Sequence, residues 1–150
     1  HDHLQKTDDE RLIENDLEVS YVDPERLLSD PMEYIGDLPK GSNLIIDSIN
    51  EFELEDRRRY VEFLNTVKEV LWDTGSVGLF YGIEEATDPP ARSLTLKRSD
   101  LVWQLDRSVK ANEIQTSLII SKFRGDKALT EPVKLVLTDD VQVDMSRDIG

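Results

Sequence analysis

The stretch "GSNLIIDSINEF", residues 41–52, contains three aliphatic residues that lead directly into Asp47 and Ser48. A short apolar run bounded by turn residues is typical of a buried strand. Nucleotide-hydrolysing α/β proteins hold a magnesium ion with a carboxylate at the end of such a strand. Many buried strands also end in an aspartate that only caps the next turn, so Asp47 alone does not decide between the two interpretations.

A helix and a second strand follow this run. Residues 54–75 carry apolar side chains at spacings of four, three and four: Tyr60, Leu64, Val67 and Leu71. Gly75 is placed to end that helix. Residues 77–83, "VGLFYGI", are apolar throughout, which predicts a strand covered on both faces. A strand, a helix and a second strand in this order predict a βαβ unit with parallel pairing.

Two helix-start signals lie in the N-terminal part of the chain. Asp23 precedes Pro24 and Asp30 precedes Pro31, so each pair places an N-cap residue before a proline at the first helical position. Residues 1–15 are mostly polar, and we expect them to form a flexible N-terminal segment.

The C-terminal third is rich in strand patterns. Pro89 and Pro90 exclude regular structure from the loop before it. Four short stretches predict strands joined by polar turns: residues 101–105, 114–123, 133–137 and 141–145. The length of the chain permits one domain with a core but hardly two, so we expect residues 16–150 to form a single, partial α/β domain.

The charge balance excludes several classes of partner. The chain has 32 acidic and 18 basic residues, which gives a formal net charge of -14. Such a surface repels phosphate backbones and anionic lipid, so nucleic acid and membranes are poor partners. No apolar stretch approaches the roughly 18 residues of a membrane span. The absence of cysteine excludes disulfides and thiolate zinc sites and is typical of a cytoplasmic protein.

The acidic residues are spread along the chain from Asp2 to Asp148, not gathered in a tail. High salt screens the self-repulsion of such a surface. We therefore expect a halophilic source, in which the folded state gains stability as the salt concentration rises.

A phosphate-binding loop is missing from the sequence. The pattern G-x-x-x-x-G-K-[ST] should follow a strand and open a helix, because the helix N–H groups and the lysine bind phosphates. The nearest stretch, residues 36–42, has serine where the lysine belongs and precedes its strand. We interpret it as an ordinary turn.

From Asn43 onward the chain resembles the second half of the KaiC/RecA-like ATPases, in the archaeal branch that includes RadA-like and KaiC-like proteins. "NLIIDSINEF" is similar to the Walker B strand of that family, with its Asp-Ser pair. Three later stretches resemble family strands in the same order: "SDLVWQL" (99–105), "SLIISKFRGD" (117–126) and "PVKLVLTDDVQV" (132–143). The resemblance implies a three-layer RecA-like parallel sheet with a β-rich C-terminal part, from which the first P-loop unit is absent.

The resemblance also implies site residues and cofactors. Asp47 would hold the magnesium ion of an ATP complex through a bound water, and Ser48 would support it. Lys122 and Arg124 would reach across a subunit interface towards a neighbour's triphosphate, in a homo-oligomer or with related ATPase subunits. From the residues alone, this pair could also be cations that protect an exposed strand edge from aggregation.

Departures from the family leave two hypotheses open. The P-loop and the upstream glutamates are not visible, and the strand after the helix ends in Tyr81 and Gly82 instead of polar sensor residues. The first hypothesis is the Walker B-containing C-terminal part of a KaiC/RecA-like ATP-binding protein, which cannot hydrolyse ATP alone. The alternative is a non-catalytic, degenerate RecA-like interaction or regulatory domain that assembles with ATPase relatives.

Overall fold

The computed structural model describes residues 5–6, 12–14, 17–19, 21–110, 113–128, 131–138 and 140–144. The chain divides into two units, residues 1–95 and residues 96–150. We call them unit 1 and unit 2 and describe each by itself. That residues 16–150 act as one domain stays a prediction.

Unit 1 begins with three short strands. Strands β1 (Gln5–Lys6), β2 (Leu12–Glu14) and β3 (Leu17–Val19) pair antiparallel in the order β1-β2-β3. Strands β1 and β2 fall within the segment 1–15, whose other residues lie outside the described part of the chain. The flexibility expected of that segment therefore stays a prediction.

Two short helices follow, and both start where the sequence predicts. Helix α1 spans Pro24–Ser29 and helix α2 spans Pro31–Ile35. The carboxylates of Asp23 and Asp30 each accept a hydrogen bond from the backbone N–H three residues on, at 3.2 and 3.3 Å. Each aspartate thus satisfies an N–H that the first turn leaves free, and each proline stands where no N–H is needed.

The predicted βαβ unit is confirmed. Strand β4 (Asn43–Asp47) pairs parallel with strand β5 (Val77–Tyr81) from Asn43 opposite Val77 to Asp47 opposite Tyr81. Helix α3 (Arg57–Thr74) connects them. Asp56 caps its start, and Gly75, at φ 64°, ends it in the left-handed region that glycine adopts without steric cost.

The hydrophobic core of unit 1 is built on the apolar stripe of α3. Tyr60 and Phe63 are completely buried, and the ring of Phe63 lies 5.8 Å from that of Phe52, in a 3₁₀ turn at Phe52–Leu54. The other buried apolar residues come from α1, α2, β4 and the segment after it, α3 and the loop before residue 92: Leu27, Leu28, Ile35, Ile46, Ile49, Leu64, Val67, Val70 and Ala91.

The prediction that residues 77–83 form a strand covered on both faces is wrong. Strand β5 ends at Tyr81, and its residues alternate between half-buried and exposed. Phe80 packs against the core, whereas Val77, Leu79 and Tyr81 are each about half exposed. The reason is that α3 covers one face of the β4/β5 pair, and no described element of unit 1 buries the other.

Unit 2 is an antiparallel sheet in the order β6-β7-β8-β9. Its strands are β6 (Leu101–Lys110), β7 (Glu113–Phe123), β8 (Val133–Leu137) and β9 (Val141–Val143). The four predicted strands are confirmed, although β6 is twice as long as expected. Helix α4 (Arg92–Arg98) crosses from unit 1 into unit 2, in a stretch for which the sequence pattern predicts no helix.

The register of unit 2 gathers apolar side chains on one face of the sheet. Leu105 lies opposite Leu118, which in turn lies opposite Val133, and Val109 lies opposite Ile114. Directly paired residues of antiparallel strands share a face. We call this set the apolar sheet face: Trp103, Leu105, Val109, Ile114, Leu118, Ile120, Val133, Leu135, Leu137, Val141 and Val143.

No helix in the described part of the chain is long and apolar enough to cross a membrane.

Candidate functional site

Asp47 is the last residue of β4 and lies opposite Tyr81, the last residue of β5. The carboxyl ends of both strands therefore meet at one edge, where ligands of open α/β sheets bind. The side chain of Asp47 is exposed, and no described residue forms a hydrogen bond or ion pair with its carboxylate. Ser48 is half-buried, and the peptide bond between the two residues is cis.

We call the segments that follow the two strands, residues 47–50 and 81–85, the carboxyl edge. The N–H of Ile49 donates to the carbonyl of Tyr81 at 2.8 Å. Beyond this hydrogen bond, the side-chain amide of Asn50 replaces the backbone as the partner of the other segment. Its Nδ2 donates to the carbonyl of Ile83 at 2.8 Å, and its Oδ1 accepts from the N–H of Ile83 at 2.8 Å. One buried side chain thus holds both backbone groups of a residue on the other segment.

Arg92, at the start of α4, connects this pairing to a buried carboxylate. Its Nε donates to Oε2 of Glu53 at 2.7 Å, and the Glu53 side chain is completely buried. Its Nη2 donates to Oδ1 of Asn50 at 3.0 Å and to the carbonyl of Ile83 at 3.3 Å. The planar guanidinium offers several N–H groups in a fixed geometry, which lets one side chain serve three acceptors.

Two hydroxyl groups complete the arrangement around Glu53. The Thr95 hydroxyl donates to Oε1 of Glu53, and Tyr60 Oη lies 2.7 Å from Thr95 Oγ1. Burial, with a smaller contribution from the Glu53 carboxylate, raises the pKa of the Tyr60 hydroxyl to about 12. Every buried polar side-chain atom in the described residues has a partner. We call Asn50, Glu53, Tyr60, Arg92 and Thr95 the polar network.

The sequence patterns do not single out the polar network. A signal for it was present in the run "INEFE" (49–53), since Asn50 lies between the buried residues Ile49 and Phe52, and Glu53 directly follows Phe52. Polar residues between buried apolar neighbours need hydrogen-bond partners. The partner Arg92 lies 39 residues from Glu53, beyond a whole helix and strand, so the sequence spacing does not identify it.

The segments after β4 and β5 are acidic. Glu51, Glu84 and Asp88 are exposed along with Asp47, and Oε1 of Glu85 accepts from Nδ2 of Asn50 at 2.9 Å. A free triphosphate would be repelled by these carboxylates, whereas a divalent cation would be attracted.

The donor set fits magnesium in a limited way. Searched over the described residues, the structure contains no group of three or more acidic, histidine or cysteine side chains that could hold a metal ion. Asp47 therefore offers a single carboxylate. Mg²⁺ in nucleotide sites commonly takes one or two carboxylates, together with waters and phosphate oxygens. Asp47 fits a magnesium ion that arrives with a nucleotide, and not one held by protein alone.

The two predicted cationic site residues lie in unit 2, where Lys122 contacts the last turn of α4 and Arg124 contacts the connection between α4 and β6. Nζ of Lys122 donates to the carbonyls of Leu96 at 2.8 Å and Lys97 at 2.7 Å, in the last turn of α4. Arg124 lies one residue past the end of β7, and its Nε pairs with Oδ1 of Asp100 at 2.6 Å. That these cations reach a neighbouring subunit stays a prediction.

Comparison with known proteins shows the family and the fold. A family model described as "Family of unknown function (DUF7125)" matches residues 1–150. The chain belongs to this family. No curated protein matches the DUF7125 chain.

Two solved structures from Pyrococcus horikoshii are similar to the DUF7125 chain. One is a KaiC-like protein from this hyperthermophilic archaeon, with a TM-score of 0.56 and 18% identity over 81% of this chain and 56% of its own. The other is an uncharacterized protein in complex with an unknown peptide, with a TM-score of 0.56 and 14% identity over 83% of this chain and 57% of its own. The DUF7125 chain therefore spans less than two thirds of either.

At these identities the likeness shows the fold alone. The predicted KaiC-like fold is confirmed, as a mixed α/β structure with a parallel sheet and an antiparallel sheet. The three-layer arrangement, the missing first P-loop unit and the source of the protein stay predictions.

Proposed function

We propose that the DUF7125 chain supplies the Walker B edge of a KaiC-like ATP-binding protein, in which Asp47 holds the magnesium ion of a metal–ATP complex. The observation that carries this proposal is the position of Asp47, exposed at the carboxyl end of a parallel strand pair and free of partners among the described residues. The KaiC-like fold supports it, because such folds bind ligands at this edge.

The ion would neutralise the charge of the triphosphate, which is the chemistry that the acidic carboxyl edge lacks. The chain's own residues would bind and orient the complex. Asp47 would hold the ion through a bound water, and Ser48 follows it with a hydroxyl that can hydrogen-bond to the carboxylate or to that water. In this proposal the acidic residues exclude nucleotide that carries no metal.

We expect the chain by itself not to hydrolyse ATP. Its sequence has no G-x-x-x-x-G-K-[ST] loop, so a metal–ATP complex would be held through the metal ion alone, without the backbone N–H groups and lysine that position the triphosphate for hydrolysis. ATP turnover by the purified chain that disappears in Asp47→Asn would contradict this part of the proposal.

Assembly belongs to the same proposal. KaiC-like partners, either further copies or related ATPase subunits, would bring the phosphate-binding elements and receive Arg124 and Lys122 at the interface. Arg124 is the readier of the two to exchange partners, because its ion pair with Asp100 is more than half exposed. The dispersed acidity supports a halophilic archaeal cytoplasm as the setting.

The test uses manganese in place of magnesium, because Mn²⁺ prefers similar oxygen ligands and broadens nearby NMR signals. Isotope-labelled chain is titrated with Mn–ATP in an excess of ATP that leaves little free metal. We expect the amide signals of Ser48 and Gly82 to broaden first. In Asp47→Asn the concentration that produces this broadening should rise by about tenfold or more.

Asp73→Asn provides the matched control. It removes the same charge from the last turn of α3, next to Thr74, whose carbonyl accepts from the N–H of Gly41 at the opposite end of β4. We expect this variant to behave like the wild type. Broadening that is equal in all three proteins, or that follows every acidic residue, would refute a site at Asp47.

A second candidate is a non-catalytic domain that assembles with ATPase relatives, and one observation favours it. The apolar sheet face of unit 2 is largely exposed, with Trp103 at 61% and Leu105 at 63%. Large exposed apolar patches mark interaction sites. A similar solved structure is a complex with an unknown peptide. If this candidate holds, Leu105→Asp should abolish assembly with KaiC-like partners whether or not ATP is present, and Asp47→Asn should leave it unchanged.

A further inference from the structure

The pairing between the two segments of the carboxyl edge continues beyond the ends of the strands. The β4/β5 register stops at Asp47 and Tyr81, yet both backbone groups of Ile83 are bonded to the side chain of Asn50. Segments that follow parallel strands usually form mobile surface loops. Here a side chain, not a strand, fixes the second residue of such a loop.

Arg92 also contacts Ile83. Its Nη2 bonds to the carbonyl of Ile83 and to Oδ1 of Asn50. The guanidinium also lies against Gly82, because a Cβ built there would be 3.4 Å from three of its atoms. Gly82 and Ile83 are thus placed by Asn50 and Arg92, although both are themselves exposed.

These contacts satisfy the buried amide of Asn50 and at the same time reach exposed backbone. The buried carboxylate of Glu53 already accepts from Nε of Arg92 and from the hydroxyl of Thr95. The bond from Arg92 to the carbonyl of Ile83 adds to these. The additional bonds act on exposed backbone next to Tyr81, which lies opposite Asp47.

We propose that Asn50 and Arg92 are positioning residues that fix Gly82 and Ile83 beside Asp47, so that a metal–nucleotide complex meets a preformed edge. This inference rests on the proposed function and adds the residues that set the geometry of its site. Supporting groups that lock a site in place lower the ordering that binding requires.

Asn50→Ala tests the inference, with Asn43→Ala as the matched control at the other end of β4, where Asn43 is exposed. The first measurement is amide hydrogen exchange in the absence of nucleotide. In Asn50→Ala the N–H of Ile83 loses its acceptor, so we expect its exchange to accelerate by about tenfold, the factor that corresponds to one lost hydrogen bond. Exchange within β4 and β5 should stay unchanged in both variants.

The second measurement repeats the Mn–ATP titration followed at Ser48. We expect binding to weaken by about tenfold in Asn50→Ala and not in Asn43→Ala, because the segment of Gly82 and Ile83 then has to be ordered when the complex binds. A general loss of stability would instead accelerate exchange throughout unit 1. That outcome would overturn the positioning role.

Arg92→Lys is the second variant, for the case that Asn50→Ala does not fold. A lysine keeps the charge next to Glu53 but lacks the planar fork that reaches Asn50 and Ile83. Asn50 Oδ1 still accepts from the N–H of Ile83 in this variant, so we expect a smaller local acceleration at Ile83 together with the weaker titration.

The outcomes separate the two proposals. If wild type binds Mn–ATP at Ser48 and the variants bind it equally well, the inference is wrong and the proposed function stands. If wild type shows no broadening at the carboxyl edge, the proposed function fails and the inference falls with it.

Discussion

Units 1 and 2 differ in what their apolar side chains do. Every buried apolar residue among the described ones belongs to unit 1. Unit 2 has a sheet whose register sorts apolar from polar side chains, yet Val109 is 74% exposed and Ile114 is 65% exposed. An alternating pattern therefore determines which face of a sheet is apolar, but a second layer is needed to bury that face. Unit 1 has that layer in α3.

The two units also differ in their charged contacts. In unit 1 the pair of Arg92 and Glu53 is buried and tied into the polar network. In unit 2 the pair of Arg124 and Asp100 is mostly exposed. A buried pair that loses one partner leaves an uncompensated charge, whereas an exposed pair is replaced by water. The same kind of contact should therefore differ severalfold in its effect on stability.

Truncation of a large apolar side chain should show the largest difference in stability between unit 1 and unit 2. Phe63→Ala removes a completely buried ring and should lower the free energy of unfolding of unit 1 by about 3–5 kcal/mol. Leu105→Ala on the apolar sheet face should change stability by about 0.5 kcal/mol or less. Urea unfolding followed by the helical circular dichroism signal and by amide exchange of β6 and β7 measures both. An equally large loss for Leu105→Ala would mean that the sheet face is packed in solution.

The buried ion pair provides the next test. Glu53→Ala leaves Arg92 buried without its carboxylate and should cost about 3–5 kcal/mol. Glu62→Ala is the matched control, because Glu62 also pairs with an arginine, Arg58, at 3.1 Å on the surface of α3. That variant should cost about 0.5 kcal/mol. Similar decreases in the free energy of unfolding for both variants would show that burial does not determine how strongly these ion pairs stabilise the protein.

The fold of unit 1 could be predicted from the sequence because its signals are local. Asp23, Asp30 and Gly75 act on backbone groups within a few residues, and the stripe of α3 repeats within one helix. The parallel pairing of β4 and β5 follows because a strand, helix and strand in sequence have few other solutions.

The exposure of Leu79 could not be predicted, because an apolar run specifies a strand but not the number of layers around it. Asp47 was predicted as a strand end, and the structure places it there. The polar network was missed because its members are brought together by tertiary folding: Arg92 and Asn50 are 42 residues apart. The interpretation of Lys122 and Arg124 as cations of one strand edge fits Lys122 alone, because β7 ends at Phe123.

Alkaline pH should destabilise the folded protein through Tyr60 of the polar network. Its pKa is about 12 in the folded protein, against 10.0 normally, so the folded state retains a proton that the unfolded state loses. Titration of this hydroxyl leaves stability unchanged below about pH 10, and stability falls as the pH rises from about 10 towards 12, by about 2–3 kcal/mol in total. Urea unfolding at pH 9 to 12, with Tyr60→Phe as control, measures it.

Below pH 10 the wild type should be more stable than Tyr60→Phe by about 1 kcal/mol, because of the hydrogen bond to Thr95. Near pH 12 the order should reverse. Parallel curves for the two proteins over this range would contradict the burial of the hydroxyl.

The smallest expected effects concern the two cations of unit 2, and they bear on assembly. Lys122→Ala removes two hydrogen bonds from the last turn of α4, where a cation also opposes the negative end of the helix dipole, and should cost about 1 kcal/mol. Arg124→Ala should cost less, about 0.5 kcal/mol, because its ion pair is exposed. Lys127→Ala, at an exposed position after β7, is the control and should be neutral.

Amide exchange of β6 and β7 resolves differences of this size, and the order of the three variants decides what the cations do. If Lys122→Ala is the most costly, the ammonium group is committed to α4, and a contact with a neighbour's triphosphate would first have to break two bonds. Arg124 then remains the better candidate for an inter-subunit contact. If Lys122→Ala is as neutral as Lys127→Ala, the ammonium group is free in solution, and the family-like contact by both cations gains support.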